Sequence, residues 1–255
     1  MFMNRIRIPK EWGEGIRVRH APLSNGGFII DDLDQVFSGN GFNDITCFFR
    51  YAELFNAVAG AFENAAPGSK LLVLPSSIGP EAYSMASIFN ARGLYAEGRS
   101  APVIEAFDIS DKKTNIARLG VYPPGFGFRI PPKCHADFQV AGGFLRVRDH
   151  IRKHVNFLPP ASILDHPDLG AEHSYRVVMC LNLLCYLKRD EDKISALRFL
   201  ASQSNYMICL NYGGPPERRK FAPMVHAELA QQGFRPHPVF GGLGILKADI
   251  FFRDI

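Results

Sequence analysis

The sequence predicts an α/β protein: a doubly wound, mostly parallel seven-stranded sheet that closes with a C-terminal antiparallel hairpin. Three observations predict it. Short apolar runs alternate with amphipathic stretches from Thr46 onward. The amphipathic stretches carry Pro, Ser or acidic residues at their starts and Gly at several of their ends. The last two strand-like runs are joined by a Gly-rich turn, which suits an antiparallel edge.

The elements follow in order. Residues 1–45 read as an irregular segment with turn signals at "SNGG" and "SGNG" and one short helical candidate around "DDLDQVF". Residues 46–255 read as one domain. In "TCFFRYAELFNAVAGAF", Phe48, Ala52, Phe55, Val58 and Phe62 recur at helical spacing until "PGS" ends the run. "KLLVLP" reads as a buried strand and "PEAYSMASIFNARG" as a helix stopped by Gly93. "VIEAFDI" is the next strand, and "SDKKTNIARLG" a helix capped by Ser110 or Asp111. "YRVVMCLNLL" is a strand, and "DEDKISALRFLASQS" a helix with acidic residues in its first turn. "NYMICLNY" is a strand, "FAPMVHAELAQQG" a helix, and "FRPHPVF" with "GILKADIFFRDI" the closing pair.

Composition narrows the class. Of 255 residues 47% are hydrophobic and 21% charged, as in soluble globular chains and against disorder. A net charge of +4 does not call for a nucleic-acid partner, and the basic bunches "RVRDHIRKH" and "ERRK" read as solvated helix faces. Five cysteines form no C-x-x-C pair and suit a reducing compartment. The N-terminus lacks a signal-peptide pattern and no apolar run reaches bilayer length, so a cytoplasmic, membrane-free protein is expected. Oligomeric state is not legible.

In a doubly wound sheet, ligands bind beyond the carboxyl ends of the strands. The first such place is "PSSIGPEAYS", which has one glycine, Gly79, where a dinucleotide loop needs several. One glycine suits a nucleoside cofactor without phosphate. Glu81 can accept a hydrogen bond from an amino group there, or simply favour the helix dipole. Asp108, ending the second strand, can accept both hydroxyls of a ribose, or cap the next helix. His150 and His154, four apart beside Asp149, have a metal-like spacing. Val147, Ile151 and Val155 make the same stretch read as a helix with a solvated histidine face, so no metal is expected. "PGFGF" (124–128) reads as an active-site cover or a plain turn.

The overall topology resembles class I S-adenosylmethionine (SAM) methyltransferases. More specifically, "ITCFFR" (45–50), "SSIGPEAYS" (76–84), "FDIS" (107–110), "LGVY" (119–122), "GFLRVRDHIRKHVNF" (143–157) and "LNLLCYL" (181–187) resemble, in order, the motifs of CheR-type chemotaxis receptor methyltransferases. The resemblance implies SAM as cofactor. It assigns Thr46, Cys47 and Arg50 to the methionine end, the Arg50 guanidinium suiting a carboxylate. The alternative for Arg50 is a surface pair with Glu53. Gly79 and Glu81 match the loop, and Asp108 the ribose ligand. Ser162 and Ile163 fall at the adenine, with serine in place of the usual asparagine. Asn182, Leu183 and Tyr186 match the strand facing the methyl group, which makes Asn182 and Leu183 cofactor contacts and Tyr186 and Asn182 the catalytic candidates. The alternative for Tyr186 is a core aromatic packed on "ISALRFL".

The sequence also departs from that pattern. The first loop glutamate is Pro80, and the arginine associated with the acceptor is Leu181. The family's preceding helical domain is reduced to the irregular segment, and no tail-binding β-subdomain is legible after Leu210. The cofactor half is thus better kept than the acceptor half. The resemblance implies methyl transfer to an oxygen or nitrogen acceptor on a small molecule. The alternatives are a protein carboxyl (glutamate) methyltransferase and a non-catalytic SAM-binding regulatory protein. The single loop glycine speaks against an NAD-dependent oxidoreductase.

Overall fold

A computed structural model describes residues 46, 48–99, 101–122, 130–141, 144–211, 215–237 and 249–254. Residues 1–45 (expected to be irregular), Cys47, "PGFGF" and the expected turn of the closing hairpin lie outside these residues.

The first described helix, α1 (Ala52–Phe62), is followed by β1 (Lys70–Leu74) and α2 (Pro80–Ala91). Next come β2 (Val103–Ala106), α3 (Asp111–Leu119) and β3 (Val121–Tyr122). A 3-10 turn at Pro132–Asp137 leads into β4 (Phe138–Ala141), β5 (Phe144–Val147), the single-turn α4 (Asp149–Arg152) and β6 (Val155–Phe157). After a second 3-10 turn at Ile163–Asp165 come β7 (Tyr175–Leu181), α5 (Asp190–Gln203), β8 (Ser204–Asn211) and α6 (Pro215–Gln231). The short β9 (Arg235–Pro236) and β10 (Asp249–Phe252) complete the described chain.

The main sheet has seven strands in the order β6-β2-β1-β7-β8-β10-β9. The first five are parallel neighbours. β10 joins antiparallel to both β8 and β9, as the closing hairpin requires. Chain order reverses between β1 and β7, so a crevice opens at their carboxyl ends. β1 and β7 are apolar runs because both faces are covered. On one face Leu71, Val73, Val177 and Met179 pack with α1 and α2. On the other, Leu72, Val178 and Cys180 pack with α5 and α6.

Local signals set some element ends. Ser110 caps α3 by accepting the Lys113 N–H, and Gly120 closes it at φ 62°. Pro80 occupies the first turn of α2, where its missing N–H costs nothing. That accounts locally for the proline at the first loop glutamate.

Two expectations need correction. The helix expected from Thr46 starts only at Ala52, because Phe49 takes a left-handed backbone (φ 54°) in the turn before it. The stretch from Val147 to Val155 is not one helix: the end of β5, one turn of α4 and the start of β6 divide it. His150 therefore lies against Asp137 at 2.9 Å, while the His154 ring stacks on Tyr95 at 3.6 Å. Among the described residues no cluster of metal-ligating side chains forms. The structure adds a small antiparallel sheet, β3-β5-β4, between α3 and β6, which was not expected.

Candidate functional site

The two motif segments at the sheet's carboxyl edge are tied together through backbone. The Phe49 N–H donates to Ser84 Oγ at 2.9 Å, and Ser84 in turn donates to the Pro80 carbonyl at 2.6 Å. This bond carries the "FFR" turn onto the start of α2. Arg50 Nη2 then donates to Glu81 Oε1 at 2.9 Å and Thr46 Oγ1 to Glu81 Oε2 at 2.6 Å. The partner of Arg50 is thus Glu81, and the pairing with Glu53 is set aside. Glu81 is buried, and a buried carboxylate needs such partners. Opposite charges side by side are the donor set for a zwitterion: a guanidinium for a carboxylate, a carboxylate for an ammonium.

The loop between β1 and α2 is held in shape by its neighbours. Asp108, buried just past β2, accepts the Ser77 N–H at 2.9 Å and the Ser110 N–H at 3.0 Å. The Tyr122 hydroxyl donates to the Ile78 carbonyl at 2.7 Å. Gly79 has φ 97°, and a Cβ there would lie 3.0 Å from both Ala117 Cβ and Phe157 Cζ. Glycine is therefore demanded by left-handed backbone and by interior packing. Ser76 Oγ, buried at the head of this loop, has no hydrogen-bond partner among the described residues. Such an orphan inside a ligand loop is a place for a ligand or water.

A cavity of about 170 Å³ opens beside the loop, with Asp108, Ser162, Ile163 and Leu183 in its wall. The rest of its lining is apolar, chiefly Phe107, Ile109, Leu164 and Leu187. Ile109 is 71% exposed yet lines this cavity. An apolar wall with a carboxylate in it suits the base and ribose of a nucleoside. Ser162 Oγ accepts the Leu164 N–H at 3.2 Å and so caps the short turn that forms one wall. A neighbouring cavity of about 300 Å³ shares Phe107 and Ala161. Three of its polar groups are spent on one another: Lys70 and Tyr175 both bond Glu105, at 3.1 and 2.5 Å.

The expected residues thus fall into two groups. Thr46, Arg50 and Glu81 meet at one end, while Asp108, Ser162, Ile163 and Leu183 meet at the other, with Gly79 in the loop between. Asn182 lies at the end of β7 in a left-handed conformation (φ 63°), its N–H bonded to the Asn211 carbonyl at 2.7 Å. Tyr186 sits on the following turn, 53% exposed, so the reading of a core aromatic is set aside. Leu181 is buried in the core on the α1–α2 face.

Two residues were not foreseen. The Tyr51 hydroxyl accepts Asn211 Nδ2 at 2.8 Å and Asn182 Nδ2 at 3.3 Å. Its ring carries the Arg50 guanidinium at 4.6 Å. Burial pushes the phenol above its ordinary value of 10.0, with the Arg50 charge pulling the other way. The one sequence signal was adjacency: Tyr51 follows Arg50 directly.

A family model described as the SAM binding domain of CheR methyltransferase matches residues 44–207. No curated protein matches the chain. Similar solved structures include magnesium protoporphyrin IX methyltransferase from Synechocystis PCC 6803 with bound SAM. It is 16% identical over 92% of this chain and 100% of that chain, with a TM-score of 0.47. Another is the N-methyltransferase NodS from Bradyrhizobium japonicum WM9 with S-adenosylhomocysteine, 9% identical over 80% of this chain and 87% of that chain, TM-score 0.44. A TehB-like SAM-dependent methyltransferase from Corynebacterium glutamicum is 9% identical over 80% of this chain and 96% of that chain, TM-score 0.45. These scores stay below 0.5, so the family match is what bears on function.

Proposed function

The chain belongs to the CheR methyltransferase family and is a SAM-dependent methyltransferase, and from that premise we propose that it methylates an oxygen or nitrogen atom of a small molecule. The observation that carries the site assignment is the meeting, on one sheet edge, of the Arg50–Glu81 pair and the Asp108 cavity. Their chemistry fits the two ends of the cofactor. Arg50 takes the methionine carboxylate, Glu81 with Thr46 the amino group, Asp108 the ribose hydroxyls, and Ser162, Ile163 and Leu183 the adenine. Gly79 shapes the loop between these ends. Bound SAM supplies a methyl group on a sulfonium, a leaving group that needs no acid. The protein's task is to align the acceptor and exclude water. Asn182 and Tyr186, at the end of β7 and on its turn, serve that acceptor side.

Leu181 supports an altered acceptor. Where the resembled pattern has an arginine, this chain has a side chain buried in the core. A second reading, transfer to a protein carboxylate, is favoured by the β3-β5-β4 sheet, because the resembled family carries a tail-binding β-subdomain. Methyl-labelled SAM incubated with a cell extract separates the two. Label in the small-molecule fraction is expected; label only in base-labile protein esters would overturn the first reading in favour of the second.

A further inference from the structure

Tyr51 occupies a position that neither the cofactor assignment nor the motif pattern uses. It stands between Arg50 and the start of α1, and its hydroxyl crosses to residues 131 and 160 positions later in the chain. Asn211 is the last residue of β8, and Asn182 the first beyond β7. The hydroxyl therefore lies over the carboxyl ends of two central parallel strands, one residue from the guanidinium assigned to the methionine end. Asn182 keeps its amide there at the cost of a left-handed backbone. Asn tolerates that conformation better than most residues, and such outliers cluster at functional sites.

The hydrogen-bond inventory sets what this phenol can do. Both amides donate to its oxygen, which fills the oxygen's accepting capacity and leaves its own hydrogen to give. We propose that Tyr51 seats the methyl acceptor by donating that hydrogen to it, and that it selects an oxygen rather than a nitrogen acceptor. This rests on the methyl-transfer reading above. An amine has one lone pair, and a hydrogen bond from Tyr51 would occupy the pair that must attack. An acceptor oxygen has a second pair, or a second oxygen beside it, that can take the bond while the first attacks. In the transfer, an oxygen lone pair forms the new C–O bond and the C–S pair passes to sulfur, leaving a neutral thioether. Any hydroxyl proton of the acceptor goes to solvent, and Tyr51 keeps its own throughout. A phenol's ordinary value of 10.0 keeps it protonated at neutral pH, and burial raises it further, so it acts as a donor and not as a base.

Tyr51→Phe tests this, because it keeps the ring under Arg50 and removes only the hydroxyl. Affinity for S-adenosylhomocysteine by calorimetry should stay within about twofold of wild type. Transfer of labelled methyl to extract acceptors should fall about tenfold or more in kcat/KM. A readout free of turnover comes from protein carrying 3-fluorotyrosine, its Tyr51 fluorine signal identified by its loss in Tyr51→Phe. Adding the small-molecule extract fraction to the S-adenosylhomocysteine complex should shift that signal. Transfer within about twofold of wild type, or a Tyr51 signal that no fraction moves, overturns the proposal. Label that enters only protein, yet falls about tenfold in Tyr51→Phe, overturns the small-molecule reading and upholds Tyr51.

Discussion

The Arg50 guanidinium meets the Glu81 carboxylate at 2.9 Å across 31 residues of chain, and both side chains are largely buried. Glu81 is thereby bound from two sides, since Thr46 holds its second oxygen. The pair fastens the turn before α1 to the first turn of α2 and presents two opposite charges at one point.

Arg50→Lys keeps the positive charge but loses the planar fork that can engage two carboxylates at once. Affinity for S-adenosylhomocysteine should fall about tenfold, and Arg50→Ala should lose more, because Glu81 would then be buried without its cation. Calorimetric titration of both variants measures this. Wild-type affinity in both would remove Arg50 from the cofactor site.

Asp108 carries a structural load in addition to its assigned ribose. Asp108→Asn replaces one accepting oxygen by an N–H2 group that faces a backbone N–H, either that of Ser77 or that of Ser110. Denaturant unfolding should show a loss of about 1–3 kcal/mol. Cofactor affinity should fall by at least about tenfold in parallel. An unchanged midpoint together with unchanged affinity would contradict both roles.

Tyr186 is exposed on its turn, so Tyr186→Phe should leave stability within about 0.5 kcal/mol of wild type. The role at the acceptor predicts unchanged S-adenosylhomocysteine affinity with methyl transfer reduced about tenfold. Normal turnover with an extract acceptor would withdraw Tyr186 and leave the acceptor role to Tyr51.

Stability should decline on the alkaline side. Burial raises the Tyr83 and Tyr122 phenols and the Cys180 and Cys209 thiols above their ordinary values of 10.0 and 9.0. A raised folded-state value means that the folded chain holds the proton more tightly than the unfolded chain does. That contribution is complete below the ordinary values and is lost as pH rises through them toward the folded ones. Tm should be level from about pH 7 to pH 8.5 and lower by several degrees at about pH 10.5. Equal melting temperatures at both ends, at matched ionic strength, would show that these groups are not buried in solution.

Long elements were legible because burial on two faces leaves a long record. The apolar run of β1 and the spacing of Phe55, Val58 and Phe62 in α1 each mark an element without knowledge of its neighbours. The secondary structure from Val147 to Val155 was not legible. Val147, Ile151 and Val155 satisfy a helical period, yet Val147 pairs with Phe138 and Val155 with Ile104. Strands of three or four residues carry too few side chains to outvote a false period, so pairing decides them.

The sequence by itself determined the sheet's parallel body, the capped helices and the loop in which Gly79 and Glu81 stand. Those follow from burial periodicity and from backbone preferences that act within a few residues. Only the tertiary structure decided who partners whom at the site. Arg50 takes Glu81 over Glu53 because the Phe49–Ser84 bond brings the two segments together. Tyr51 gains its two amides because the ends of β7 and β8 are adjacent in the sheet. A hydrogen bond depends on positions to within tenths of an ångström, and no local pattern specifies that across 160 residues.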